Sequence, residues 1–125
     1  MNLNQVTIPS VDVEKATAFY QTLGLNLIVD ALPRYVRFEC PNGDSTFSIH
    51  KVNTISKGNG ITLYFEVENL ETTVTKLNQE SITFKTEILK QSWLWHEIHL
   101  NDLDNNQIII YHAGENRKNP PWRIK

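Results

Sequence analysis

The chain has 125 residues, 40% of them hydrophobic and 21% charged, and a net charge of −2. That length suits one domain with a real core, and the composition excludes disorder and collagen-like structure. Acids and bases are interspersed, which argues against nucleic acid as a partner, and no run approaches the roughly 18 apolar residues of a membrane span.

The first segment, Leu3–Ile8, reads as a strand and not as a charged, then apolar leader. With Cys40 as the only cysteine, no intrachain disulfide is possible, and a cytoplasmic protein is expected. After Asp12, the residues Val13, Ala16, Phe19, Tyr20 and Leu23 recur at helical spacing. Asp12 suits the N-cap of that helix, and Gly24 suits a left-handed residue at its end. Leu25–Val29, Tyr35–Cys40 and Thr46–Val52 are predicted strands, rich in Val, Ile, Phe, Tyr and Thr. Pro41-Asn42-Gly43-Asp44 is the tight turn before the last of them. Cys40 is expected as a buried structural thiol.

The stretch 53–60, with Gly58 and Gly60, is the expected connection to a second set of elements. Ile61–Val67 is a predicted strand, and a helix follows the N-cap residue Asn69 with Leu70, Val74 and Leu77 on one stripe. That helix ends near residues 79–81 without a glycine. Ile82–Ile88, Trp93–Leu100 and Gln107–His112 are predicted strands, the last two joined by residues 102–106, where Asn105 or Asn106 tolerates a left-handed backbone. The tail carries Arg117, Lys118, Arg123 and Lys125 around Pro120-Pro121-Trp122 and is expected as a Trp-anchored strap over the sheet or a partner subunit more than as a basic binding tail.

The order strand, helix, strand, strand, strand therefore occurs twice. Gln5 and Thr62 open the two halves 57 residues apart, and the capping residues Asp12 and Asn69 keep that offset. Such self-similarity predicts an α+β domain of two βαβββ modules, about 1–57 and about 58–112, with a tail over 113–125. The sheet is expected to be mixed, with the helices against one face.

Alternation along the strands separates two faces. Val36, Phe38 and Cys40 oppose Tyr35, Arg37 and Glu39; Phe47 and Ile49 oppose Thr46, Ser48 and His50. Ile61, Leu63, Phe65 and Val67 oppose Thr62, Tyr64 and Glu66; Leu94, Ile98 and Leu100 oppose Trp93, Trp95, Glu97 and His99. The aliphatic set is expected under the helices, with His96 at its margin, and His112 is expected to be structural. The other set gathers aromatics with a few polar groups, the composition of a small-molecule pocket or a dimer-lined groove more than of a wet surface. Trp93 and Trp95 suit stacking on a flat ligand or walling a dimer interface. Glu97 and His99, two apart on one strand, suit either a grip on one ion or mutual hydrogen bonding. Arg37 and Glu39, on one strand, suit a surface ion pair more than an anion site. No phosphate loop, nucleophile elbow, Cys-x-x-Cys or His-Glu-x-x-His spacing occurs.

The opening Leu3-Asn-Gln-Val-Thr-Ile-Pro-Ser-Val-Asp12, followed by Ala18-Phe-Tyr-Gln-Thr-Leu-Gly24, resembles the glyoxalase/bleomycin-resistance/dioxygenase (vicinal oxygen chelate) superfamily. Asp102-Leu-Asp-Asn-Asn-Gln-Ile-Ile-Ile-Tyr111 is similar to that superfamily's closing turn and strand, usually Asp-Pro-Asp-Gly-Asn, from which Leu103 and Asn105 depart. The resemblance implies a U-shaped, open-barrel sheet, a homodimer and, in catalytic members, one divalent metal acting as a Lewis acid on substrate oxygens. The ligand positions it implies fall on Gln5, Ser48, Thr62 and Ile109, a poor set for Zn, Ni or Fe. The expectation is a small-molecule binder without cofactor, contacting its ligand through Gln5, His50, Tyr64, Trp95, Glu97, His99 and Tyr111. The alternatives are a metal-dependent lyase, isomerase or dioxygenase using His50, Glu97 and His99, and a domain whose role is dimerisation.

Overall fold

Asp12 and Asn69 each place a short side-chain oxygen where a helix leaves its first amides unbonded. Asp12 accepts from the Lys15 amide at 3.1 Å and Asn69 from the Thr72 amide at 3.0 Å. The helices that follow are α1, Val13–Thr22, and α2, Leu70–Gln79. Gly24 ends the first with φ +108°. The second ends on Ser81 at φ +64°, a left-handed position taken without a glycine.

The computed structural model describes residues 1–55 and 61–124, so Gly58 and Gly60 of the expected connection, and Lys125, lie outside the described residues. The first compact unit is Met1–Asn59 with the turn Asp102–Asp104; the second is Gly60–Asn101 with Asn105–Lys125. In the first unit β1 (Gln5–Ser10), β2 (Asn26–Ala31), β3 (Tyr35–Glu39) and β4 (Thr46–Lys51) form a sheet in the order β1-β4-β3-β2. In the second, β5 (Thr62–Glu66), β6 (Leu89–Lys90), β7 (His96–Asn101) and β8 (Gln107–His112) form a sheet in the order β5-β8-β7-β6. In both sheets the first strand pairs parallel to the last and the other pairings are antiparallel. The fold is α+β, two βαβββ units in tandem.

The expected division of faces holds inside each unit. Val36, Phe38, Phe47 and Ile49 are buried with Tyr20 of α1, whose ring lies 4.7 Å from that of Phe47 and 6.3 Å from that of Phe38. In the second unit Leu63, Ile98, Leu100, Ile108 and Ile110 are buried, as are Leu70 and Leu77 of α2. The Tyr20 phenol also donates to Asp102 Oδ2 at 2.6 Å. Burial first, and then the negative charge of Asp102, drives its pKa far above that of a free phenol. Asp104 Oδ1 accepts from the Val11 amide at 3.0 Å, so the turn 102–104 is bonded beside the start of α1.

Several boundaries differ from expectation. Residues 82–88 do not form a strand; β6 is two residues long. Ile82, Phe84, Thr86 and Ile88 still alternate with exposed Thr83, Lys85 and Glu87. The ladder to β7 is nevertheless interrupted, because the His99 amide donates to the Thr86 hydroxyl at 3.2 Å instead of to a main-chain carbonyl. Trp93 and Leu94 are not on β7 either. They sit in a turn in which Leu94 takes φ +69° and its amide bonds the Gln91 carbonyl at 3.0 Å. Cys40 lies just past β3 and is only half-buried, with burial raising its thiol pKa. Trp122, the residue expected to anchor the tail, is 58% exposed. His96 and His112 are exposed, and His112 Nδ1 bonds the Val67 carbonyl at 2.8 Å. No described helix is long and apolar enough to cross a membrane.

Candidate functional site

On the first sheet, the face away from α1 carries a chain of hydrogen bonds across three strands. Register places Arg37 of β3 opposite Ser48 of β4, and Thr7 of β1 on the other side of Ser48. Arg37 Nε donates to the Tyr35 hydroxyl at 2.9 Å, and its guanidinium carbon lies 5.6 Å from the Tyr35 ring centroid. The Tyr35 and Ser48 hydroxyls are 2.7 Å apart. Gln5 Nε2 donates to Ser48 Oγ at 2.8 Å, and Thr46 donates to Gln5 Oε1. Ser48 is fully buried and Arg37 is exposed. The hydrogen bond to Ser48 is the main reason that the Tyr35 phenol pKa lies below 10, with the Arg37 contacts adding in the same direction. His50, opposite Tyr35 in register, is exposed. The surface pair expected of Arg37 and Glu39 is not formed; Arg37 turns to Tyr35.

On the second sheet, the corresponding face is aromatic. Trp95 stacks on Tyr111 with centroids 4.6 Å apart and planes at 19°. Tyr64 stands edge-on to both, at 6.0 Å from Trp95 and 5.7 Å from Tyr111. Tyr111 is buried together with Ile109 and Ala113, Trp95 packs against them, and Tyr64 is 52% exposed. Glu66 braces one end: its Oε2 accepts from the Ala113 and Gly114 amides at 3.0 Å each, and Arg117 approaches its Oε1 at 3.5 Å. Burial, and then the Glu66 charge, raises the Tyr111 phenol pKa.

Glu97 lies beside this cluster, opposite Tyr111 in register and only 3% exposed. A carboxylate so buried needs partners. Its Oε1 accepts from Gln91 Nε2 at 2.8 Å and bonds His99 Nε2 at 2.9 Å. Of the two readings of Glu97 and His99, their mutual hydrogen bond is the one observed. Gln91 was not foreseen, since its role depends on the turn that brings residue 91 back toward β7.

The residues at the positions implied for a divalent metal are engaged otherwise. The Gln5 amide bonds Ser48 and Thr46, and the Thr62 hydroxyl donates to Gln107 Oε1 at 3.4 Å. Ile109 is a buried hydrocarbon. One amide, two hydroxyls and an isoleucine do not fit a transition-metal ion that takes imidazole, thiolate or carboxylate. Among the described residues, no three His, Cys, Asp or Glu side chains are grouped so as to hold a metal.

Residues 3–114 match the family described as the glyoxalase-like domain. Among solved structures, the chain is similar to a lactoylglutathione lyase from Agrobacterium tumefaciens, with TM-score 0.73 and 14% identity over 90% of this chain and 93% of that one. A glyoxalase/bleomycin resistance protein/dioxygenase family enzyme from Burkholderia phytofirmans gives TM-score 0.76 and 19% identity, over 90% of this chain and 99% of that one. A bleomycin resistance determinant encoded on the transposon Tn5 gives TM-score 0.76 and 12% identity, over 90% and 98%. Nothing matches among the curated proteins. At these identities the structural likeness speaks for the fold alone, while the family match spans nearly the whole chain. The chain belongs to the glyoxalase-like domain family.

Proposed function

We propose that this protein binds a small, partly aromatic molecule on the helix-free faces of its sheets and does so without the divalent metal usual in its superfamily. The observation that carries the reading is the Tyr64–Trp95–Tyr111 cluster, in which Tyr64 stays 52% exposed although Tyr111 is buried and Trp95 partly so. An exposed ring held edge-on against a packed aromatic pair offers a rigid surface to a flat group, at little entropic cost. Glu97 and His99 supply hydrogen bonding beside it, and Gln5 and His50 supply it in the first unit. A bleomycin resistance determinant is among the solved structures similar in fold, which supports a small-molecule reading.

A thermal-shift screen of flat aromatic compounds tests the reading. A ligand at 100 times its Kd should stabilise the chain by about 2.7 kcal/mol, and the response should be lost in Tyr64→Ala. A response unchanged in Tyr64→Ala would refute the aromatic surface. Elemental analysis of protein purified without chelator should find no stoichiometric transition metal. About one ion per chain, retained on dialysis and lost in His99→Ala, would instead favour a metal-dependent lyase, isomerase or dioxygenase.

A further inference from the structure

We propose that the first unit carries a carboxylate-recognition site, formed by the Arg37 guanidinium and the Tyr35–Ser48 hydroxyl pair. The inference rests on the reading that the helix-free faces bind a small molecule, and it names the chemical class that one of those faces selects.

The charge of Arg37 is the first element. Arg117 spends part of its charge on Glu66, at 3.5 Å, whereas Arg37 has no carboxylate partner among the described residues. Among the described residues its one hydrogen bond runs from Nε to the neutral Tyr35 hydroxyl, which leaves both terminal nitrogens for a ligand. That bond and the Tyr35 ring at 5.6 Å hold the guanidinium in place before any ligand arrives. Part of the ordering cost of an exposed arginine is therefore already met. A fixed planar fork of N–H donors matches a carboxylate in shape and charge.

Hydrogen counting supplies the second element. Tyr35 accepts from Arg37, Ser48 accepts from Gln5, and only one of the two hydroxyls can donate to the other across their 2.7 Å separation. One hydroxyl hydrogen is therefore left to point elsewhere. Ser48 is fully buried and Tyr35 is partly exposed, so the spare hydrogen belongs on Tyr35, next to the guanidinium. An oxygen of the bound acid can accept it. The lowered phenol pKa reflects the same two donors aimed at the Tyr35 oxygen. Glu39, two residues along the same strand face, opposes additional negative charge, which favours a monoanionic carboxylate over a dianionic phosphate.

The second unit has no such site at its matching positions. Register aligns Tyr35 with Glu97 and Arg37 with His99, and those two are bonded to each other. Selection of an acid group is thus particular to the first unit.

Nuclear magnetic resonance titration of the full chain with benzoate, benzamide and phenylphosphonate tests the proposal. Benzoate should move the Arg37 Nε–H resonance and the amides of β3 and β4 saturably, with benzamide weaker by on the order of tenfold. Phenylphosphonate at a pH where it is dianionic should bind no better than benzoate. Arg37→Gln should weaken benzoate by on the order of tenfold and Tyr35→Phe by about fivefold, each with an otherwise unchanged spectrum. Equal binding of benzoate and benzamide, unaltered benzoate binding by Arg37→Gln, or shifts confined to residues outside β3 and β4 would each overturn it. The thermal-shift response lost in Tyr64→Ala reads the aromatic surface of the second unit without involving Arg37. Failure of one reading is thereby told apart from failure of the other.

Discussion

Replacing Tyr20 by Phe isolates one buried hydrogen bond, because the ring and its contacts with Phe19, Phe38 and Phe47 are kept. What is lost is a 2.6 Å bond from the phenol to Asp102, between two residues that are 0% and 5% exposed. Hydrogen bonds to charged groups contribute about 1.5–3 kcal/mol net, so a loss of about 2 kcal/mol is expected. For a chain of this length that lowers Tm by roughly 6–10 °C. The effect also has a definite sign with pH. The native Tyr20 pKa is raised above its ordinary 10.0, so the folded state prefers the protonated phenol. That contribution is complete below pH 10 and is lost as the pH rises beyond it. The gap between wild type and Tyr20→Phe should be flat at neutral pH and shrink in strong alkali. Urea melts at neutral and alkaline pH measure both quantities. A Tyr20→Phe protein within about 0.5 kcal/mol of wild type, or a gap that widens in alkali, would refute the assignment of this bond as a tie between α1 and the turn 102–104.

Three further outcomes are expected. In an ultraviolet absorbance titration Tyr35 should ionise before Tyr20 and Tyr111, and Tyr35→Phe should remove that step; because its native pKa is lowered, wild type should gain stability over the variant as pH rises, the gain being complete above pH 10. Ser81 sits at φ +64° and is exposed, so Ser81→Gly relieves a left-handed strain of about 1–2 kcal/mol at an entropic cost of about 0.5–1 kcal/mol; Tm should rise by a few degrees, and a fall would show that the Ser81 side chain stabilises the end of α2. Light scattering should find a homodimer, at twice the 14.5 kDa chain mass, and a monomer at micromolar concentration would remove pairing from the functional picture.

The features legible from residue order were those set by local physics. Asp12 and Asn69 cap helices because a short side-chain oxygen reaches the third amide, and Asn105 takes φ +62° in the turn where a left-handed residue was expected. Alternation placed Val36, Phe38, Ile98 and Leu100 under cover and Ser48, Ile109 and Tyr111 on the opposite face. Illegible were the features that depend on which strand neighbours which, and in what register. Residues 82–88 have the pattern of a strand, but the His99 amide donates to the Thr86 hydroxyl where a ladder would offer a main-chain carbonyl. Trp93 has the parity of β7 but leaves it at a left-handed Leu94. Gln91 reaches Glu97 only because that same turn folds back. Tyr20 and Asp102 meet across 82 residues of sequence, a pairing no local pattern announces.

Register also shows what the two units share and where they differ. Ser48 and Ile109 occupy matching central positions of the two last strands, as do Arg37 and His99 on the strands beside them. In the first unit the central position is a hydroxyl, and the polar groups around it hydrogen-bond through it. In the second it is an isoleucine, which cannot relay a hydrogen bond, so Glu97 and His99 turn to each other and to Gln91 while the remaining surface becomes aromatic. One difference at a single buried position thus separates a polar face with spare donors from an apolar face on which Glu97 and His99 hydrogen-bond each other. Ile109→Ser should therefore do more than open a cavity: it should draw His99, its register partner, away from Glu97, and the His99 ring resonances should report that move directly. Unchanged His99 resonances in a folded Ile109→Ser protein would show that the pairing with Glu97 is set by Gln91 and the turn, and not by the residue at the centre of the sheet.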